Sequence, residues 1–323
     1  MSPTTNETLR ALGAIPDLVA SASVPLAACT RFAIGGPAGI LAETPCVESF
    51  LAALRVARAS GRNFMVMGGG CNLIVADEGF RGIVLRFTAG NIRAEVNRVT
   101  TDAGAGLQAL VDFAVERGLK GLETLTRIPG WVGAAVYGNA GAYGHSISER
   151  VSVVTFSDGE SIRTFTNGEC EFHYRESVFK RRKDWVILSV TLDLEPGEQS
   201  GLRRVAADIA QVRDRKFPPS MKCAGSVFKN LLLAELPPAV AAQVPQPVIR
   251  EGKVPAAWFL EQVGAKGMVK GGIRVADYHA NLLYNAGGGT ARDLRALIAE
   301  LKSRVRTRFG FELEEEVQYV GFD

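Results

Sequence analysis

The sequence predicts a mixed helix and strand protein, of class α+β or α/β, built as two or three domains. Three observations predict it. Strand-length apolar runs such as Phe64-Met65-Val66-Met67 are interleaved with runs of helical period along the whole chain. The chain has 323 residues, too many for one small core. Hydrophobic residues make up 47% and charged residues 22%, an ordinary globular balance far from disorder.

Residues 44–60 read as the first clear helix. Thr44 is placed to cap it, Pro45 suits the first helical position, Phe50, Leu51, Leu54 and Ala57 make one apolar face, and Gly61 ends it. Strands at 64–67, 73–75 and 83–87 follow. Beyond Asn91 the pattern turns β-rich, with a helix at 106–117 closed by Gly118. Runs 151–156 and 161–165 flank Ser157-Asp158-Gly159-Glu160, a hairpin pattern. Trp185–Leu194 is a strand, ended by Glu195-Pro196-Gly197-Glu198. Leu202, Val205, Ile209 and Val212 give a helix at 202–215 one apolar face. Residues 231–250, rich in Leu, Ala and Pro, resist assignment. The last helix spans about 291–309. Thr290 and Asp293 have capping-box spacing, Leu294, Leu297, Ile298, Leu301 and Val305 form the stripe, and Gly310 follows. Val317–Val320 is a terminal strand. Composition changes near 88 and 213 set soft domain boundaries, and there is no internal repeat.

The net charge of +3 is spread along the chain without a basic block, which argues against nucleic acid as partner. No apolar run is long enough to span a membrane, and the first residues lack the basic-then-apolar order of a secretory leader. Cys29, Cys46, Cys71, Cys170 and Cys223 are odd in number, scattered, and form no C-x-x-C pair. A disulfide framework or zinc site is therefore not expected, and a reducing cytoplasm fits. No obligatory protein partner is visible.

Glycine, with 35 residues, clusters at 35–39, 68–70, 130–144 and 271–289. Gly68-Gly69-Gly70-Cys71-Asn72 lies between two strands, where successive N–H groups can form a nest for phosphate or pyrophosphate oxygens, with Asn72 as a further donor. A strand follows instead of a helix, so this is not the Rossmann fingerprint. A tight turn without a ligand stays open as the other reading. The stretch from Ile128 to Gly144 is poor in charge and rich in small residues, which suits close approach to a flat ring; a run of bulges is the plainer account. Arg175 is a fork donor suited to a carboxylate, though a lone Arg is commonly a surface residue. His145 and His173 more often satisfy local hydrogen bonds than catalyse, and His279 in Tyr278-His279-Ala280-Asn281 suits a structural role. Ser226 follows Gly225, with Lys229 and Asn230 close by, but the G-x-S-x-G elbow is absent; a turn serine is the bland alternative to a proton donor. Among Glu312, Glu314, Glu315 and Glu316, a strand would set Glu314 and Glu316 on one face.

Taken in order, these runs resemble the UDP-N-acetylenolpyruvoylglucosamine reductase family, from about Arg31 to Gly321. The residues carrying the resemblance are Arg31–Ala38, Gly68–Val75 with Asp77-Glu78-Gly79-Phe80, Gly121-Leu122-Glu123, Ile128–Gly144, Tyr174–Lys180, Ala224–Asn230, His279-Ala280-Asn281 and Leu313–Gly321. The resemblance implies two domains of the vanillyl-alcohol-oxidase (PCMH-type) FAD fold, at 1–88 and 89–213, and a substrate-binding domain at 214–316, with the strand 317–323 returning to the first. It implies non-covalent FAD, NADPH as electron donor, a UDP-sugar enolpyruvyl ether as substrate, and a place in peptidoglycan precursor synthesis. Arg175, Ser226 and Glu316 match catalytic positions, with Ser226 protonating C2 after hydride reaches C3. Gly68, Gly69, Gly70, Cys71 and Asn72 match the pyrophosphate loop. Ile128, Pro129, Gly130, Gly133, Asn139 and Gly141 match the isoalloxazine cradle, and Tyr174, Lys216, Lys229 and Asn230 the substrate side. Serine as donor, with no extra tyrosine-bearing loop, resembles the shorter subtype. The chain departs from the family pattern at Thr30-Arg31-Phe32 after Cys29, at Cys71, at Leu231 and in the long 231–250 stretch.

Two other readings compete. An FAD oxidase of the same fold would act on a small alcohol or sugar and often tethers its flavin, for which His145 and Cys71 are the nearby candidates. A non-enzymatic binder of flavin or sugar nucleotide would have no reason to keep Arg175, Ser226 and Glu316 together.

Overall fold

Four consecutive buried residues, Gly82-Ile83-Val84-Leu85, place one strand of the first unit between two covered faces. The computed structural model describes residues 4–322. The chain divides into two units. The first runs from the start of the described residues to Val24 and includes Ala38–Gly70 and Arg81–Arg215; the second takes Pro25–Pro37, Cys71–Phe80 and the chain from Lys216 onward.

In the first unit, strands Val19–Pro25, Pro37–Thr44, Phe80–Phe87 and Phe64–Val66 form one sheet in that order, the last pair parallel with Met65 opposite Val84. Helices α1 (Thr5–Gly13) and α2 (Val47–Ala59) contribute Leu12, Phe50, Ala53, Leu54 and Ala57 to the core beside it. The sequence placed α2 from residue 44, but Thr44 ends the strand Pro37–Thr44. Pro45 holds the residue before it in extended backbone, so the helix starts later. Cys46 takes the N-cap position without a side-chain cap bond, and Thr44 Oγ1 accepts the Cys46 N–H at 3.1 Å. The capping box of α1, Thr4 with Glu7, was not read from the sequence.

A five-stranded antiparallel sheet follows, ordered Ile162–Thr166, Val151–Ser157, Val186–Asp193, Arg98–Asp102 and Ile92–Glu95. The Asp158 carboxylate accepts from the Glu160 and Ser161 N–H groups and closes the expected hairpin. Helix α3 (Leu107–Glu116) buries the five apolar residues its period marks. Two short helices, α4 (Val132–Tyr137) and α5 (Val178–Arg181), complete this half. The glycine-rich stretch is thus a helical turn followed by a tight hairpin, not a series of bulges. Helix α6 (Gln199–Lys216) differs from expectation. Only Leu202 is buried, while Val205 and Val212 are 40% and 52% exposed.

In the second unit, strands Val269–Lys270, Ile273–Ala276 and His279–Asn285 form an antiparallel sheet. Its core takes residues from α7 (Pro238–Ala241), α8 (Ala256–Gln262) and α9 (Ala291–Phe309). The capping box of Thr290 and Asp293 forms, and Gly310 closes α9 with φ +77°. The Asp77 carboxylate adds a second cap, accepting from Ala291 N–H at 2.8 Å and Arg292 N–H at 3.0 Å. The 231–250 stretch is pinned by Leu236, Val240 and Val244, and Leu231–Leu232 pairs with Lys253–Val254. Gln318–Val320 pairs in parallel with Leu73–Val75. Gly36 and Gly79 pack so closely that a Cβ on either would enter the backbone of the other segment. Residues 314–316 belong to no named strand but pair with 227–229 through an antiparallel bridge between Glu315 and Phe228.

Candidate active site

In the first unit, the strand Phe64–Val66 and the Met67 N–H, which donates to Leu85 O at 2.9 Å, lead directly into the glycine turn. Gly70 has φ +63°, and a Cβ on Gly68 would already touch Ala134 and Trp131. The 128–144 stretch is stitched to 103–107 through backbone. Leu107 N–H donates to Gly130 O, Val132 N–H to Ala105 O and Gly133 N–H to Ala103 O, all at 2.8–2.9 Å. A Cβ on Gly133 would fall 2.8 Å from that of Ala103, and Gly130 has φ +118°. Gly68, Gly130 and Gly133 let neighbouring segments lie close here, and all three stay partly exposed. Such a surface fits a flat, heteroatom-rich ring held by peptide groups, and the adjacent turn fits its diphosphate. Ile128 and Pro129 lead into it.

Arg175 sits at the tip of a tight turn. His173 and Glu176 exchange N–H···O bonds of 3.1 Å, and Arg175 has φ +58°, the left-handed region where glycine is usual. A non-glycine residue there stores strain, which clusters at functional sites. Its guanidinium donates to Asn139 O at 3.4 Å and Gly141 O at 3.1 Å, and lies 5.2 Å from the Tyr174 ring centre. Lys180 Nζ donates to Arg175 O at 2.8 Å and pairs with Glu176 at 2.7 Å. The buried Asn139 donates to His173 O at 2.8 Å and accepts from Ser148 N–H at 3.3 Å. The structure therefore joins Arg175 and Tyr174 to the glycine-rich stretch through Asn139 and Gly141. Burial, with Glu176 adding, raises the Tyr137 phenol.

In the second unit, Ser226 lies on a short extended segment opposite Leu282. The other flank of that segment is the acidic run. Val227 O accepts the Glu316 N–H at 2.8 Å, and Lys229 N–H donates to Glu314 O at 2.9 Å. Ser226 and Glu316 are thus carried on adjoining segments. Glu312 and Glu315 pair with Lys302, and Glu314 with Lys229, while Glu316 is half-buried. Asn72 Nδ2 donates to the Glu316 carbonyl at 2.8 Å, and Asn72 O accepts from Gln318 N–H. The Cys71 thiol is pushed up by burial, with Arg31 opposing. Asn230 Oδ1 accepts from Ala256 N–H at 3.4 Å.

Lys216, at the end of α6, belongs to the same unit. Its carbonyl accepts from the Tyr278 hydroxyl at 2.9 Å. Burial, then the nearby Lys216 charge, lowers His279 to about 4. His279 Nδ1 accepts the Asn281 N–H at 3.1 Å, which leaves its proton on Nε2. His145 is instead an exposed partner of Glu149 at 2.8 Å. Sequence reasoning placed Asn281 in a matching run but gave it no role; its side chain binds the Ser226 segment. A polar residue inside an apolar strand run was the available sign. The described residues hold no cluster able to bind a metal and no helix long and apolar enough to cross a membrane.

Comparison with known proteins decides the family. The profile of the UDP-N-acetylenolpyruvoylglucosamine reductase C-terminal domain matches residues 217–320, and that of an FAD binding domain matches residues 41–164. A UDP-N-acetylenolpyruvoylglucosamine reductase of Solibacter usitatus is 66% identical over 310 residues, 96% of this chain and 99% of the relative. The chain belongs to the UDP-N-acetylenolpyruvoylglucosamine reductase family. A Bacillus subtilis reductase of that name is 33% identical, with 93% of each chain covered. The crystal structure of the Thermus caldophilus reductase superposes with a TM-score of 0.72 at 28% identity, covering 94% of this chain and 99% of that one. The chain is thus an oxidoreductase with an FAD-binding domain followed by the reductase C-terminal domain, and the oxidase and binder readings fall away.

Proposed function

We propose that the protein reduces UDP-N-acetylglucosamine enolpyruvate to UDP-N-acetylmuramate, with electrons from NADPH, as a cytoplasmic step of peptidoglycan precursor synthesis. The backbone pairing of Val227, which follows Ser226, with Glu316 supports this reading, because it carries the two residues on adjoining segments. When bound, FAD supplies the hydride that C3 of the enolpyruvyl group receives. Gly68–Asn72 hold its diphosphate, and Ile128–Gly141 its ring. Arg175 neutralises the negative charge that builds at C2 and on the substrate carboxylate. A preorganised donor of this kind lowers a barrier by about 3 kcal/mol. Glu316 is the third group given to the same developing charge. Ser226 then delivers its hydroxyl proton to C2. A serine hydroxyl is a poor acid, so it works only against a strongly basic enolate. Tyr174, Lys216, Lys229 and Asn230 hold the rest of the substrate. The same reading assigns residues 1–88 and 89–213 to the flavin and 214–316 to the substrate, with 317–323 returning to the first; the pairing of Gln318–Val320 with Leu73–Val75 supports that return.

Two half-reactions test it. Ser226→Ala should leave flavin reduction by NADPH intact and block reoxidation by the enolpyruvyl UDP-sugar, followed at the flavin absorbance band. Equal loss of both half-reactions contradicts the role given to Ser226. Absence of substrate-dependent NADPH consumption by the unmodified protein ends the reductase reading.

A further inference from the structure

Asn281 is 2% exposed, and its carboxamide bonds two consecutive residues. Oδ1 accepts the Val227 N–H at 3.1 Å and the Phe228 N–H at 2.9 Å, and Nδ2 donates to Phe228 O at 2.8 Å. The Val227 N–H is shared with the Asn281 carbonyl at 3.1 Å, and the Asn281 N–H donates to His279 Nδ1. The place of this hold matters. Val227 and Phe228 directly follow Ser226. Before it stands Gly225, with φ +79° and nothing within 4 Å of where a Cβ would be. Glycine is the least restrained residue, so the chain entering Ser226 supplies little fixation. The backbone from which the serine hydroxyl projects is bridged to Leu282 and to the Glu314–Glu316 run, and on its C-terminal side the Asn281 carboxamide is the side chain that binds it, through Val227 and Phe228. Val227 also carries the Glu316 N–H on its carbonyl, so the same amide sets the base on which Glu316 stands.

We infer that Asn281 is the positioning residue that aims the Ser226 hydroxyl for proton delivery. The inference rests on the proposed donor role of Ser226 and extends it. Misplacement of a reacting group by about 1 Å costs about 100-fold in rate. Asn281 therefore acts on the proton-delivering half-reaction and not on flavin reduction.

Three variants of the flavin-loaded full chain test this by stopped-flow: Asn281→Leu, Asn281→Asp and Ser226→Ala. Asn281→Leu should slow reoxidation by substrate about 100-fold while reduction by NADPH stays within about threefold of the parent protein. Asn281→Asp gives the sharper result. A protonated carboxyl offers one acceptor and one donor, as the amide does, whereas a carboxylate offers only acceptors. Burial raises the pKa of such an acid. Reoxidation by Asn281→Asp should be slow in alkali and recover as pH falls from about 9 to about 5, relative to the parent profile taken in parallel. His279, bonded to Asn281, stays neutral across that window. Lys216 near His279, and Lys229, Glu314 and Glu316 on the neighbouring segments, are the other charges the parent profile carries. If Asn281→Leu fails to fold, the acid recovery of Asn281→Asp decides alone. Reoxidation near the parent rate at every pH, or a loss without acid recovery, overturns the inference. The Ser226→Ala arm separates the two levels. Slow Ser226→Ala with fast Asn281 variants sinks the positioning inference alone, whereas fast Ser226→Ala sinks the donor role beneath it.

Discussion

Arg175 pays for its place with an unfavourable backbone, and its guanidinium reaches two carbonyls of the glycine-rich stretch at once. A lysine keeps the charge and loses the planar fork. Arg175→Lys should therefore lower kcat about 100-fold or more, with urea stability changed by less than about 1 kcal/mol, since the backbone strain is common to both. His279 gives a second prediction. Its folded value near 4 lies below the usual 6.5 because burial disfavours the charged ring. As pH falls, the unfolded chain takes the proton first. The stabilisation is present above about 6.5 and is lost as pH approaches 4, on the order of 2–3 kcal/mol. Urea melts at several pH values should show this loss, and His279→Gln should reduce it. At this scale the sequence was least legible. Residue by residue, Arg175 read as a surface arginine and Ser226 as a turn serine; only the ordered resemblance raised them. The role of Asn281 stayed hidden because it lies in contacts to residues 53 and 54 positions away.

Elements with local signatures were read well. Period, cap and terminating glycine coincide in α9, and the structure has all three. Its second cap was invisible, because Asp77 lies 214 residues from Ala291. Thr290→Ala should cost about 1 kcal/mol and Asp77→Ala at least as much, since the latter strips two N–H groups of the first turn. Thermal denaturation compares them. Helix α6 shows the opposite failure. Its period marked an apolar face correctly, yet periodicity does not say whether anything covers it. With Val205 and Val212 largely exposed, Val212→Lys should shift stability by no more than about 0.5 kcal/mol. A loss of several times that would show the face to be buried in solution.

Over the whole molecule, composition gave soft boundaries near 88 and 213 and said nothing of how the chain is threaded. The path crosses between units at 24/25, 37/38, 70/71, 80/81 and 215/216. Composition shifts cannot reveal two excursions of some ten residues each, because those segments look like the strands and loops around them. The excursions carry weight. Phe32, Ile34 and Ile74 are buried in a core whose other members include Val227, Phe228, Phe259 and Leu282. A fragment of residues 1–215 would retain the first three and lose the rest. Each fully buried side chain of this size is worth about 2 kcal/mol when removed from water, so the fragment would expose several kcal/mol of apolar surface. It should bind a hydrophobic dye strongly or aggregate during gel filtration, while the full chain does neither. A monodisperse fragment with a cooperative melt would mean that the two excursions need no partner from the C-terminal half.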